Sequence, residues 1–149
     1  KVIEYNARFG DPEAMNVLSI LKSDFLSICF SLVEGKLEKE EVLFDELATV
    51  CKYVVPLGYP NNPTKGFEVF CDQNDSSLFL ASVMFKNKKL IACGSRTAAV
   101  VGKNRDIQKA EAFAEQGVSN ISGKLFHRKD IGTKDLIDLR VKRMKELLS

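Results

Sequence analysis

Residues 1–9 carry a period-two pattern. Val2, Ile3 and Tyr5 are strand formers, while Glu4, Asn6 and Arg8 recur every second position and share one face of the predicted strand. Gly10-Asp11-Pro12-Glu13 reads as a helix start, with Asp11 as cap, Pro12 at the first helical position and Glu13 at the positive end of the helix dipole. The helical pattern runs on through Met15, Val17, Leu18 and Leu21. Ser23-Asp24 offers a second cap before Phe25, Leu26, Ile28, Cys29, Leu32 and Val33, and Gly35 is the expected stop, giving two helices over 12–34. Residues 36–41 are charge-rich and expected to be exposed.

The texture then changes to short strands, predicted at 41–44, 51–57, 67–71, 78–85, 89–94 and 96–101. Gly58 to Pro63, Asp72 to Asp75 and Lys86-Asn87-Lys88 supply the breaks. A helix is predicted over 104–120, with Ile107, Ala110, Phe113 or Ala114, and Val118 inward. A last helix over 133–148 carries the stripe Ile137, Val141, Met144, Leu148. This order is α+β: a strand and two helices, then a mostly antiparallel sheet with flanking helices, with a boundary expected near 35–40.

Composition narrows the picture by exclusion. Lysine and arginine number 22 against 20 aspartate and glutamate, a net charge of +2, which argues against an electrostatic nucleic-acid binder. No apolar run approaches the ~20 residues of a membrane span, and the opening residues are no signal peptide. Cys29, Cys51, Cys71 and Cys93 form no CxxC pair, so they read as free thiols of a reducing, cytoplasmic setting rather than a zinc site. A chain that opens on Lys1 inside an apolar, strand-like run is expected to be part of a longer one.

Candidate chemistry concentrates at the start. A carboxylate and an amide oxygen two residues apart, Glu4 and Asn6, are hard ligands suited to Mg²⁺, which commonly takes one or two protein carboxylates plus substrate phosphates. Arg8 continues the face and can clamp a phosphate or carboxylate bidentately, and a helix start at 11–13 would present free N–H groups nearby. The same pattern also fits an edge strand with a polar face followed by a capped helix.

The run Glu4-Tyr5-Asn6-Ala7-Arg8-Phe9-Gly10-Asp11-Pro12-Glu13 closely resembles the signature of the phosphoribosylamine–glycine ligase family. In the same order, Gly58-Tyr59-Pro60 with Lys65-Gly66, Gly94-Ser95-Arg96, and Phe126-His127-Arg128-Lys129-Asp130-Ile131-Gly132 resemble that family's later segments. The resemblance implies the end of an ATP-grasp domain over 1–37 and the family's C-terminal domain over 38–149. It also implies a reaction: glycine joins 5-phosphoribosylamine through a glycyl phosphate as ATP becomes ADP and phosphate, in purine synthesis. Glu4 and Asn6 would hold Mg²⁺ or Mn²⁺ on the ATP phosphates, and Arg8 would face the acyl-phosphate chemistry. Gly10, Asp11, Pro12 and Glu13 would line the glycine and phosphoribosylamine side, and Arg96, Arg128 and Lys129 are candidates for the ribose phosphate. Upstream domains of the same polypeptide would complete the site, so this chain alone is expected to be inactive.

Ser95, Leu57 and Thr133 depart from the family's usual residues without touching Glu4 or Asn6. Read on its own, Gly58-Tyr59-Pro60 is a turn, His127 a surface residue, and Arg140, Lys142, Arg143 and Lys145 a solvated helix face. Two competitors are another ATP-grasp carboxylate–amine ligase and a non-catalytic binding module built on an ATP-grasp remnant.

Overall fold

The structure is a computed structural model that describes residues 2–148; Lys1 and Ser149 lie outside the described residues. It divides into two compact units, one up to Leu47 and one from Ala48 onward.

In the first unit the strand expected over the opening residues does not form. Residues 2–9 pair with no strand among the described residues and are exposed, Ile3 to 98%. A strand exists only where a neighbour takes its N–H and C=O groups, and strand-forming side chains do not replace that partner. Helix α1 spans Glu13–Leu18. Pro12 stands at its cap position, so Pro12 is not the first helical residue and Asp11 is not the cap. Helix α2 spans Phe25–Val33, and the Asp24 carboxylate accepts from the Ser27 N–H at 2.7 Å, as the sequence leads one to expect. Gly35 ends it at φ +66°, with its own N–H on Leu32 O and the Lys36 N–H reaching back to Ser31 O at 2.8 Å. This 6→1 and 5→2 pair is the Schellman arrangement.

A short 3₁₀ turn at Leu37–Lys39 follows. Residues 41–45 then return to the α1–α2 connection: the Lys22 N–H donates to Leu43 O and the Asp45 N–H to Ile20 O, around a bridge between Leu21 and Phe44. That single bridge is all that forms of the strand predicted at 41–44. It also explains why the compact unit extends past the boundary expected near 35–40. None of the described residues of this unit is buried.

The second unit is built on two antiparallel sheets. Strands β1 (Ala48–Pro56), β2 (Glu68–Val69), β3 (Leu78–Leu80), β4 (Val83–Lys86), β5 (Lys89–Ala92), β6 (Ala98–Asn104) and β7 (Leu125–His127) order as β3-β6-β1-β7 and β2-β5-β4. The predicted strand over 78–85 is two strands, because the chain crosses from one sheet to the other at Ala81-Ser82. There the Ala81 and Ser82 N–H groups donate to Thr97 O and Arg96 O, and Ser82 O accepts from Cys93. Gly94 lies on the return crossing, where a Cβ would stand 2.2 Å from that of Ser82. Asn87 and Lys88, both at positive φ, turn the β4–β5 hairpin.

Helix α3 (Ile107–Ser119) packs across β1 and β6. Its inward residues are Ala110, Ala114 and Val118; Ile107 and Phe113 are exposed, so Ala114 rather than Phe113 faces the sheet. The reason is proximity. A Cβ on Gly102 of β6 would lie 1.9 Å from Ala110 O, and one on Gly117 would lie 2.6 Å from Val100. One core joins both sheets to α3: Val54, Val69, Leu90, Ala92, Ala98, Val100, Val118 and Ile121.

Helix α4 (Lys134–Leu148) follows the Arg128 to Thr133 segment. The helix forms where the stripe predicts it; Ile137 is half-buried, Val141, Met144 and Leu148 are exposed, and no residue of α4 is buried. Periodicity defines an apolar face but supplies nothing to cover it. No helix among the described residues is long and apolar enough to cross a membrane.

Candidate functional site

Two groups of candidate residues lie in the two units, and each is described by itself. In the first, Glu4 and Asn6 are adjacent and exposed, and the Asn6 amide donates to Glu4 Oε1 at 3.2 Å. The carboxylate and amide therefore meet without the predicted strand. Among the described residues no cluster of three or more His, Cys, Asp or Glu assembles. Glu4 and Asn6 are a two-donor set of hard oxygens, which fits a Mg²⁺ ion that keeps waters and phosphates as its remaining ligands.

The Arg8 guanidinium donates to Phe9 O at 2.9 Å, and the Phe9 ring meets Phe25 of α2 at 5.9 Å between centroids. Gly10 O accepts from the Ala14 N–H. The Glu13 carboxylate folds back over Gly10, where a Cβ would stand 2.5 Å from Glu13 Oε2. Asp11 is exposed and Pro12 half-buried. With six residues, α1 is too short to make its N-terminus an anion site.

In the second unit the cationic candidates separate. Arg96, on the crossing between β5 and β6, stacks over the Tyr53 ring at 5.3 Å. Arg128 and Lys129 share the exposed segment between β7 and α4. Arg128 makes a two-pronged pair with Asp130, Nε to Oδ1 at 3.1 Å and an η nitrogen to Oδ2 at 2.6 Å. These hydrogen bonds hold the Asp130 carboxyl below the usual aspartate value and the Arg128 guanidinium above its own. The Lys129 ammonium has no such partner among the described residues. An open depression of 480 Å³ beside it is lined by Lys129, Asp130, Thr133, Asp135, Leu136 and Leu139.

What holds this segment was not among the residues singled out from the sequence. Lys52, in the middle of β1, has a fully buried side chain. Its ammonium donates to Glu111 Oε1 at 2.5 Å, Glu115 Oε2 at 2.7 Å and Lys129 O at 2.9 Å, which accounts for all three of its protons. Glu115 Oε1 also meets His127 Nε2 at 3.0 Å. His127 is thus half-buried and bonded, not the surface residue expected. Burial acts to raise the Glu115 pKa, but hydrogen bonds from Lys52 and His127, with their charges, hold it below the usual glutamate value. Farther along, Ile131 packs on Val50, Ala110 and Ala114. Gly132 sits at φ +79° with a Cβ position 2.7 Å from Val50. Thr133 Oγ1 donates to Asp130 O at 2.9 Å, and Thr133 O receives the Ile137 N–H at the start of α4. A legible signal existed: one lysine inside the apolar run from Val50 to Val55, and two glutamates four apart on the predicted helix.

The unit from Ala48 onward thus defines an α+β domain, two antiparallel sheets with helix α3 packed on β1 and β6, presenting a cationic turn from a fixed base. Residues 49–134 match the model of the family described as phosphoribosylglycinamide synthetase, C domain. The chain belongs to that family. It is 52% identical over 152 residues to the phosphoribosylamine–glycine ligase of Methanococcus maripaludis, and 50% identical to that of Methanocaldococcus jannaschii. In both alignments 99% of this chain is covered but 34% of the relative, so the chain spans about a third of their length. The crystal structure of the phosphoribosylamine–glycine ligase from Thermotoga maritima superposes with a TM-score of 0.74 at 26% identity, over 87% of this chain and 33% of that one.

Proposed function

We propose that this chain is the C-terminal third of a phosphoribosylamine–glycine ligase, working in the cytoplasm in purine synthesis. The observation that carries the reading is the similarity of half the residues along 99% of the chain, which runs through both the Glu4–Glu13 segment and the 49–134 domain. Residues 1–37 are read as the end of an ATP-grasp domain and 38–149 as the C-terminal domain. That none of the described residues up to Leu47 is buried as a whole favours a unit whose apolar side chains are covered by other parts of a longer protein.

In the proposed reaction, a glycine carboxylate oxygen attacks the γ-phosphorus of ATP and ADP leaves. The amine of 5-phosphoribosylamine then attacks the glycyl carbonyl and inorganic phosphate departs. Glu4 and Asn6 would hold the divalent ion, Mg²⁺ or Mn²⁺, which when bound neutralises phosphate charge. Arg8 offsets charge on the transferring phosphoryl group and the acyl phosphate. Gly10, Asp11, Pro12 and Glu13 line the glycine and amine side. The ribose phosphate falls to Lys129, with Arg96 and Arg128 as further cations. Lys129 is favoured because its ammonium is unpaired among the described residues, whereas Arg128 must first leave Asp130.

The test is ADP release by the full-length chain, with its upstream region, in the presence of both glycine and freshly generated 5-phosphoribosylamine. The 149-residue chain runs in parallel and is expected to release none. Arg8→Ala in the full-length chain is expected to lower kcat by about 10²–10³-fold. ADP release with a different carboxylate and amine, and none with these, would leave an ATP-dependent ligase of other specificity. Full activity after Glu4→Ala and Asn6→Ala would favour the non-catalytic module.

A further inference from the structure

We propose that Lys52 is a positioning residue that holds the Arg128–Asp130 turn in its substrate-binding shape from inside the domain. The inference rests on the reading of that turn as a phosphate contact.

An ammonium is strongly hydrated, and a buried ion pair commonly stabilises a fold no more than apolar side chains of the same volume. The distinctive contribution of Lys52 is therefore the direction of its three protons. Two go to Glu111 and Glu115, which belong to the helix already packed on β1. The third leaves that layer for the main-chain oxygen of Lys129. Glu115 in turn holds His127. The residues on either side of Arg128 are thus tied to one buried group, His127 through its ring and Lys129 through its backbone. Arg128 is meanwhile fixed to Asp130. Binding a phosphate at exposed cations costs less when the backbone carrying them is already ordered. An apolar residue at position 52 fills the space but leaves the Lys129 carbonyl without this donor.

The experiment uses the full-length enzyme. Lys52→Met is compared with Lys52→Met/Glu111→Leu, in which the buried carboxylate most deprived of its partner is removed together with the ammonium. The second variant is expected to regain stability, so it stays informative where the first does not fold. The expected result is that both raise KM for 5-phosphoribosylamine by about tenfold or more while KM for glycine and kcat stay within about twofold, the pattern of a misplaced binding group. Amides of 128–133 should also exchange faster with solvent. Recovery of the 5-phosphoribosylamine KM along with stability in the double variant would show Lys52 to be merely structural and would overturn the proposal. Lys129→Ala separates the two readings. If it raises KM for 5-phosphoribosylamine and the Lys52 variants do not, the positioning role fails alone. If none of the three moves that KM, the phosphate reading of the turn fails and the inference goes with it.

Discussion

Lys52 shows how a single residue sets both stability and its pH dependence. Its two carboxylate partners are mostly covered, 16% and 29% exposed at the side chain. Removing the ammonium alone leaves two neighbouring anions facing an apolar strand. Lys52→Met should therefore destabilise the domain by about 3–5 kcal/mol, read from the midpoint of urea unfolding at pH 7. A loss below about 1 kcal/mol, the scale of an exposed pair, would mean that the network is solvated. Acid should act on the same group. The folded-state pKa of Glu115 lies below its usual 4.5. Its contribution is thus complete above the unfolded-state value and is lost as pH falls through the folded one. Unfolding free energy measured downward from pH 6 should drop through the glutamate range and below it, and Glu115→Gln should flatten that limb. An unchanged slope in the variant would place the acid sensitivity elsewhere. The network was open to recognition from one lysine in an apolar run and an i, i+4 glutamate pair, but sequence alone does not say that this strand and this helix touch.

At the scale of elements, the α3–β6 contact is made possible by what is absent from side chains. Gly102 lets the helix backbone approach until no methyl group fits, its Cβ position being 1.9 Å from Ala110 O and 2.7 Å from Ala114 N. Gly102→Ala must push α3 off the sheet, and the cost should reach at least the roughly 1–3 kcal/mol typical of overpacked cores. Thermal unfolding of the variant checks this, and an unshifted midpoint would mean that the layer yields freely. The same closeness explains an ambiguity in the sequence. Helical periodicity permits Phe113 or Ala114 on the inner face, and only the separation of the layers selects the alanine. Most strands were readable from β-forming runs bounded by turn residues. The division of 78–85 was not, because Ala81-Ser82 carries no turn signal and breaks only where the chain changes sheets. Strand β7 carries no strand signal of its own: three residues long, it exists through its register with Val54 to Pro56. The strand period that places Glu4 and Asn6 on one face is absent from the structure, and they meet nonetheless through a direct side-chain hydrogen bond.

At the scale of the molecule, the two units differ in what sustains them. From Ala48 onward, a shared core and a sheet ladder close on themselves. Up to Leu47, the order rests on few devices: two short helices, one of them capped and glycine-terminated, the return of residues 41–45 to the α1–α2 connection, and one ring pair. Local devices of this kind contribute about 0.5–2 kcal/mol for a cap, while helices shorter than ~12–15 residues are marginal in water without tertiary packing. Phe25, Leu26, Phe30, Leu32 and Val33 of α2 are all more than 40% exposed, so packing supplies little here. In the 149-residue chain, amides of α2 should exchange within seconds, while those of β1, β6 and α3 are protected to the level of global unfolding. In the longer chain proposed above, the apolar face of α2 has a surface to cover it, and its amides should become protected by orders of magnitude. Hydrogen exchange read by mass spectrometry on both chains decides the matter. Slow exchange of α2 in the short chain, equal to that of α3, would mean that the first unit is self-sufficient and needs no larger domain to cover it.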